Sequence, residues 1–255
     1  MAYLRRLLPL LLLVVVTACQ HSPTRTTVRI AAASDLRFAL QDLTAQVTKA
    51  HPDLRLQVTY GSSGTFRTQL ENGAPFDLFL SADIAYPEEL AAKGLAARDD
   101  VFSYAVGRLV VWTGRGSPVD PKAGLSALTD PRVRKVSIAD PATAPYGRAA
   151  VAALETEHLY DTLRPKLVTA ESVAQAAEFV TSGNADAGLV AESLVLGGPL
   201  RGVGRWSAVP LSDYPRLVQG GVVMAKGRTA AAREVRDVML SAAGRALLAN
   251  YGFSG

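Results

Sequence analysis

The chain of 255 residues contains a single cysteine, Cys19, and only three histidines. One cysteine cannot form an internal disulfide, which excludes a disulfide-stabilised scaffold and a cysteine-rich zinc or iron–sulfur site. Aromatic residues account for 7% of the chain and charged residues for 20%, whereas hydrophobic residues reach 49%. These proportions are typical of a folded globular core and argue against a disordered chain. The length allows one large domain or two lobes of about 100–150 residues each.

The sequence also lacks the residues that common hydrolytic and metal sites need. His51 and His158 lie in polar segments with no companion motif that would make either a catalytic base. The run Gly61-Ser62-Ser63-Gly64-Thr65 does not match the Gly-x-Ser-x-Gly turn of serine hydrolases, because position 65 is threonine. No His, Cys or carboxylate residues are spaced as metal ligands. We therefore expect neither an enzyme nor a resident cofactor.

The first 27 residues are not expected to belong to the fold. A basic start is followed by an apolar run at residues 7–16, which is too short to span a bilayer and is typical of a secretory signal peptide, here residues 1–18. The run Val16-Thr17-Ala18-Cys19 resembles a bacterial lipobox, which predicts a lipid on Cys19; the alternative is a plain signal peptide with a chance cysteine. Polar residues 19–27 then form a tether, and the lipid would hold the protein at a membrane surface, in the periplasm or at the outer face of the cell.

The charge balance gives little indication of a nucleic-acid partner. The formal charge is +4, and removal of residues 1–18 would lower it to +2. This excess is too small to indicate nucleic-acid binding, so no nucleic-acid partner is expected.

The body alternates strand patterns with helix patterns from a first strand at residues 28–33 to a long alanine-rich helix at residues 228–250. Such alternation predicts an α/β fold of mostly parallel sheets covered by helices. In open α/β sheets, ligands bind beyond the carboxyl ends of the strands, near helix N-termini.

Four segments match that location and offer neutral hydrogen-bond donors. They are Ser34-Asp35, Ser62-Ser63-Gly64, Ala144-Pro145-Tyr146-Gly147 and Glu171-Ser172-Val173. Helix N-termini carry unpaired N–H groups and partial positive charge, so they suit anions. Neutral donors favour an oxyanion that is fully ionised, because a protonated one needs an acceptor in the site. Taken singly, each segment fits an ordinary strand-to-helix turn with a serine cap better than a binding site, and only a shared context favours the site.

An ordered set of motifs gives these segments a common context. Ala31-Ala-Ala-Ser34, Tyr60-Gly-Ser-Ser-Gly-Thr65 and the run from Asn72 to Asp83 are similar to the periplasmic molybdate-binding proteins of ABC transporters. Later motifs fit in the same order: Tyr104-Ala-Val-Gly-Arg-Leu-Val, Ala144-Pro-Tyr-Gly147, Glu171-Ser-Val, Ser182-Gly-Asn-Ala-Asp-Ala-Gly188 and Tyr251-Gly-Phe. The resemblance covers nearly all of residues 28–253.

The resemblance implies a two-lobed periplasmic binding protein of type II, in which the chain crosses twice between the lobes. We expect the crossings near residues 107–114 and 214–222. Lobe one is then residues 26–108 and 220–255, and lobe two is residues 109–219.

The resemblance also implies the ligand, the partners and the ligand-binding residues. Molybdate or tungstate would be held by hydroxyls and backbone amides alone, without a cofactor. Carried over by motif, the ligand-binding residues are Ser34, Asp35, Ser63, Tyr146 and Val173. Ser34 and Ser63 would give hydroxyls and amides, whereas the other three would give backbone N–H groups. The expected partner is the membrane permease of an ABC transporter, and the binding protein is expected to be a monomer.

The chain departs from the family pattern at one position. Many members carry a tyrosine after the Gly-x-Val strand, and its hydroxyl reaches the anion; this chain has Ala191 and Glu192 there. A carboxylate facing a dianion would repel it, so Glu192 is expected to point to solvent. Two alternatives stay open: the same fold binding sulfate, phosphate or a small organic anion, and a surface sensor lipoprotein without a transport role.

Overall fold

The structure, a computed structural model, describes residues 25–255; the predicted signal peptide at residues 1–18 and the predicted lipidation site Cys19 lie outside the described residues. The strands of the described part are β1 (Thr26–Ala33), β2 (Leu54–Gly61), β3 (Leu78–Ser81), β4 (Val101–Gly107), β5 (Leu109–Thr113), β6 (Val136–Ala139), β7 (Leu167–Ala170), β8 (Ala187–Ala191), β9 (Arg205–Ala208) and β10 (Leu217–Val223). Its α-helices are α1 (Arg37–Ala50), α2 (Ser63–Glu71), α3 (Ala85–Ala92), α4 (Pro145–Thr156), α5 (Tyr160–Leu163), α6 (Val173–Thr181), α7 (Glu192–Val195), α8 (Thr229–Leu240) and α9 (Ala242–Ala249). None of these helices is both long enough and apolar enough to cross a bilayer.

The first sheet has the strand order β2-β1-β3-β10-β4. β1 pairs in parallel with β2 and β3, whereas β10 pairs antiparallel with β3 and β4. Four strands therefore run in one direction, and β10 alone runs against them. Side chains of β1 alternate between two cores, because Ile30 and Ala32 belong to one buried cluster and Ala31 to another. The sheet is thus covered on both faces.

The second sheet repeats this plan with the order β7-β6-β8-β5-β9. β6 pairs in parallel with β7 and β8, and β5 pairs antiparallel with β8 and β9. Again four strands share a direction and one is reversed. Trp112 of β5 is fully buried, and its Nε1 donates to the Val203 carbonyl at 3.0 Å. The predicted α/β fold with helix-covered sheets is confirmed; each sheet is mixed, with four strands in one direction and one reversed.

The chain changes sheets twice, and each change leads into a reversed strand. β4 ends at Gly107 and β5 begins at Leu109, so the first change occurs at Arg108. The second lies between β9 and β10, at residues 209–216. β10 therefore enters the first sheet at Leu217, three residues before the predicted lobe boundary at residue 220.

Two element boundaries differ from the sequence expectations. β1 begins at Thr26, inside the segment predicted as a tether, because Thr26 and Thr27 pair with Leu54 and Arg55 of β2. The long helix predicted at residues 228–250 is two helices, separated by Ser241 in an extended conformation. The Ser241 hydroxyl caps the second helix by accepting from the Gly244 N–H at 3.1 Å.

Strand ends followed by helix starts position the site. In the first sheet, β1 leads into a 3-10 turn at Ser34–Leu36, and β2 leads into α2. In the second sheet, β6 leads towards α4 and β7 towards α6. All four of these strands run in the parallel sense within their sheets, so each sheet presents two helix starts at one edge.

Candidate functional site

The four helix starts meet where the two sheets face each other. The Ala174 N–H at the start of α6 donates to the Ser34 hydroxyl at 3.2 Å. The Gly64 N–H at the start of α2 donates to the carbonyl of Thr143, just before α4, at 2.8 Å. Residues far apart in the sequence are therefore in direct contact, and the four predicted segments lie along one junction between the two halves.

The first sheet brings two serine hydroxyls to this junction. Ser34 is 4% exposed and Ser63 is 1% exposed. The Ser34 hydroxyl oxygen already accepts from the Ala174 N–H. The Ser63 hydroxyl oxygen accepts from the Ala82 N–H at 3.0 Å. A serine hydroxyl has one proton to donate besides its lone pairs. Both hydroxyls therefore keep a proton for an acceptor placed between the sheets.

The second sheet brings backbone N–H groups from two helix starts. Tyr146 is the second residue of α4, after Pro145, and Val173 is the first residue of α6. N–H groups in the first turn of a helix have no partner within the helix, and the positive end of the helix dipole lies there. Ser172 caps α6 by accepting from the Gln175 N–H at 3.3 Å, which leaves the Val173 N–H free of that cap. Both positions suit an anion.

Asp35 is buried, at 1% exposure, and its carboxylate belongs to a polar network. It accepts a hydrogen bond from Gln219 Nε2 of β10, which lies 3.3 Å from the Tyr146 hydroxyl. The Tyr104 hydroxyl lies 2.8 Å from Gln219 Oε1 and also reaches the Ser81 carbonyl. Burial raises the pKa of the Asp35 carboxyl to about 6, although hydrogen bonds from Gln219 and Tyr146 oppose the rise.

The five predicted residues are therefore brought together, but Asp35 stands apart from the other four. Oδ1 of its carboxylate is buried and has no hydrogen-bond partner among the described residues. The amide predicted to face an anion therefore belongs to a residue that carries an unpartnered buried acceptor. Assignment of all five as ligand-binding residues stays a prediction.

Glu192 does not point to solvent as expected. Its side chain is 12% exposed and lies against Gly252, where a Cβ atom would come within 2.9 Å of the carboxylate. Arg108 Nε is 4.0 Å from Glu192 Oε2, and burial raises the carboxyl pKa while Arg108 opposes the rise. Glu192 starts α7 directly after β8, and its N–H donates to the Arg108 carbonyl at 2.9 Å. Its carboxylate therefore lies at the first crossing and against the C-terminal segment, and Oε2 has no hydrogen-bond partner among the described residues.

A cavity of about 630 Å³ opens beside the buried donors, and both sheets line it. Its polar lining includes Ser62, Thr143 and Ser172, and its charged lining comprises Arg37, Asp140, Glu171 and Glu178. Arg37 and Glu178 form an ion pair of 2.7 Å between the two halves of the molecule. Within residues 25–255, no group of three or more His, Cys, Asp or Glu side chains is arranged to hold a metal ion.

Gln219 and Thr143 are the site residues that motif reasoning missed. Gln219 has a visible signal, because it is a polar residue amid the apolar and glycine residues of β10 and is fully buried. Its partner Asp35 is 184 residues away, so only the fold reveals the pairing. Thr143 acts through its main-chain carbonyl, which has no side-chain signature in a sequence.

Comparisons with known proteins agree with this geometry. The sequence model of a family described as bacterial extracellular solute-binding protein matches residues 28–254. The molybdate-binding protein ModA of Rhodobacter capsulatus is 41% identical over 199 residues, which is 77% of each chain. The protein of that name in Azotobacter vinelandii is 36% identical over 228 residues, 89% of each chain. A solved structure of the Azotobacter vinelandii periplasmic molybdate-binding protein matches with a TM-score of 0.83 and 30% identity, covering 89% of this chain and 99% of that chain.

Proposed function

The chain belongs to the family of bacterial extracellular solute-binding proteins, and from that premise we propose that it is the molybdate-binding component of an ABC importer. Two relatives that it matches over more than three quarters of their length are named molybdate-binding proteins. Their names favour molybdate over sulfate, phosphate or an organic anion. Membership of an extracellular solute-binding family supports a role as a carrier over a role as a sensor. Tungstate has the same charge and tetrahedral shape, so it is included as a ligand. The protein is a carrier and not an enzyme.

The observation that carries the proposal is the convergence of neutral donors from both sheets. Ser34 and Ser63 approach from the first sheet, and the N–H groups of Tyr146 and Val173 from the second. Asp35 would add its backbone N–H. Hydrogen bonds to an ionised oxygen are about twice as strong as neutral ones and are strengthened by burial. A dianion that accepts on every oxygen fits such a donor set.

Donors drawn from both sheets couple binding to closure. We propose lobe one as residues 26–108 with the chain after the second crossing, and lobe two as the residues between the crossings. The entry of β10 into the first sheet at Leu217 supports a boundary slightly before the predicted residue 220. An anion that contacts both lobes binds the closed state better and so shifts the population towards it. A rigid donor cage of this kind discriminates by size against the smaller sulfate.

The proposal extends to location and partners. A signal peptide at residues 1–18 and a lipid on Cys19 would place the protein outside the cytoplasmic membrane, anchored by the short segment before β1. The protein would act there as a monomer and pass its anion to the membrane permease.

Calorimetric titration tests the proposal. Molybdate, tungstate, sulfate and phosphate are titrated in turn into the ligand-free protein. We expect one molybdate or tungstate per chain and no heat from sulfate or phosphate. Tight binding of sulfate or phosphate with no response to molybdate would contradict the proposed ligand, and silence towards all four would contradict the oxyanion site. The double variant Ser34→Ala/Ser63→Ala serves as the control, because both hydroxyl donors are lost without added bulk.

A further inference from the structure

The start of α2 is occupied by a carbonyl group from the other half of the molecule. The Thr143 carbonyl oxygen accepts from the Ser62 hydroxyl at 2.7 Å and from the Gly64 N–H at 2.8 Å. We call this pair of hydrogen bonds the Thr143 contact. Every helix start exposes N–H groups that have no partner within the helix, and the contact satisfies one of them. The acceptor, Thr143, lies 79 residues after Gly64 in the sequence. Ser62 is thereby engaged with lobe two, and Ser63 is left for the anion.

Glycine at position 64 is required by this contact and not by the helix. A Cβ atom at residue 64 would lie 2.6 Å from the Thr143 oxygen and 3.0 Å from its Cα. Real Cβ atoms do not approach backbone this closely, so any side chain would push Thr143 away. Gly64 is inside α2 and has no positive φ, so alanine suits the helix itself and has the higher helix propensity. A side chain at position 64 would therefore hold the two lobes apart and leave the helix itself intact.

The Thr143 contact lies at the boundary between the open cavity and the buried donors. Ser62 and Thr143 line the cavity of about 630 Å³. Ser34, Ser63 and Tyr146, by contrast, are at most 4% exposed and do not line it. An anion among these donors would be shut off from solvent by the contact.

Building on the proposed function, we infer that the Thr143 contact is a closing device: Ser62 and Gly64 are positioning residues that hold lobe two over the anion and set how fast it escapes. The contact does not touch the anion, so it acts on the closed state and not on recognition. Breaking it should raise the dissociation rate far more than it changes the association rate.

The decisive variant is Gly64→Ala. We expect the molybdate dissociation rate to rise by about tenfold or more, as the loss of two hydrogen bonds implies. The thermal midpoint of the ligand-free variant should be unchanged or higher. Small-angle X-ray scattering should show the wild type contracting with molybdate while Gly64→Ala keeps a larger radius of gyration. Ser62→Ala removes one donor without bulk and should raise the dissociation rate by about threefold.

Thr68→Ala is the matched control, because Thr68 is exposed on the same helix and its hydroxyl bonds only to the Gly64 carbonyl. It should leave the dissociation rate and the radius unchanged. Wild-type kinetics and contraction in Gly64→Ala would overturn the inference, and if that variant does not fold, unchanged kinetics in Ser62→Ala would do so. Absence of molybdate binding by the wild type would instead defeat the proposed function.

Discussion

The two halves of the molecule share one plan, five strands with a single strand reversed, but they present different chemistry to the cleft. The half built on β1 offers the hydroxyls of Ser34 and Ser63 together with a buried acid, Asp35. The half built on β6 offers main-chain N–H groups at the starts of α4 and α6. Side-chain donors can be changed by ordinary substitution, whereas main-chain donors depend on helix placement. Each of the following changes probes one side of this contrast.

The largest effect is expected from replacing Asp35, the buried acid of the half built on β1. Asp35 has a folded pKa of about 6 against an ordinary 3.8, so the folded chain binds more protons than the unfolded chain between these values. The free energy of unfolding should therefore fall by about 3 kcal/mol as the pH rises from about 4 to about 6, and it should level off above pH 6. Asp35→Asn should remove this contribution. Denaturant unfolding of both proteins from pH 4 to 8 measures it; other titrating groups cancel in the difference, and parallel curves would contradict the account.

Val173→Pro tests the main-chain donors of the half built on β6. Proline is tolerated at the first helix position, and Ser172 before it already has the extended conformation that proline requires. The change deletes the N–H and should weaken molybdate binding by about 2–3 kcal/mol, the value of a hydrogen bond to a charged group. Val173→Ala removes the two methyl groups of the valine but keeps the N–H, so it measures the effect of lost packing alone. Calorimetry should separate the two variants, and equal affinities would show that this N–H does not bind the anion.

Ser63→Ala tests the hydroxyl donors of the half built on β1. Binding of molybdate should weaken by about 1–3 kcal/mol, because one charged oxygen loses its partner. The Ala82 N–H also loses its acceptor, so a modest drop in thermal midpoint should accompany the change. Unchanged affinity with a lowered midpoint would make Ser63 purely structural.

The smallest effect is expected at the rim. Arg37 and Glu178 join the two halves, but their side chains are 39% and 57% exposed, and ion pairs of this kind contribute about 0.2–1 kcal/mol. Arg37→Ala should therefore change molybdate affinity by about fivefold or less, and any change should shrink at high salt. A loss as large as that of Val173→Pro, measured in the same titration, would mean that rim charges matter more than buried donors.

Much of this architecture could be predicted from the sequence, because local patterns determine it. The alternation of strands and helices was confirmed, and the serine-containing turns were found at strand ends, as helix-start chemistry requires. Long-range pairings could not be predicted. Gln219 meets Asp35 across 184 residues, and Glu192 lies against Gly252 because of how the C-terminal segment folds back. The break at Ser241 depends on one serine acting as a cap within an otherwise helical pattern.

The central claim is that one tetrahedral anion is held between hydroxyls of the first half and main-chain N–H groups of the second. Crystals grown with molybdate, with diffraction measured on both sides of the molybdenum absorption edge, test it directly. The account predicts one anomalous peak per chain, within hydrogen-bond reach of the Ser34 and Ser63 hydroxyls and the N–H groups of Tyr146 and Val173. A peak in contact with only one half, or on the surface away from these residues, would contradict it.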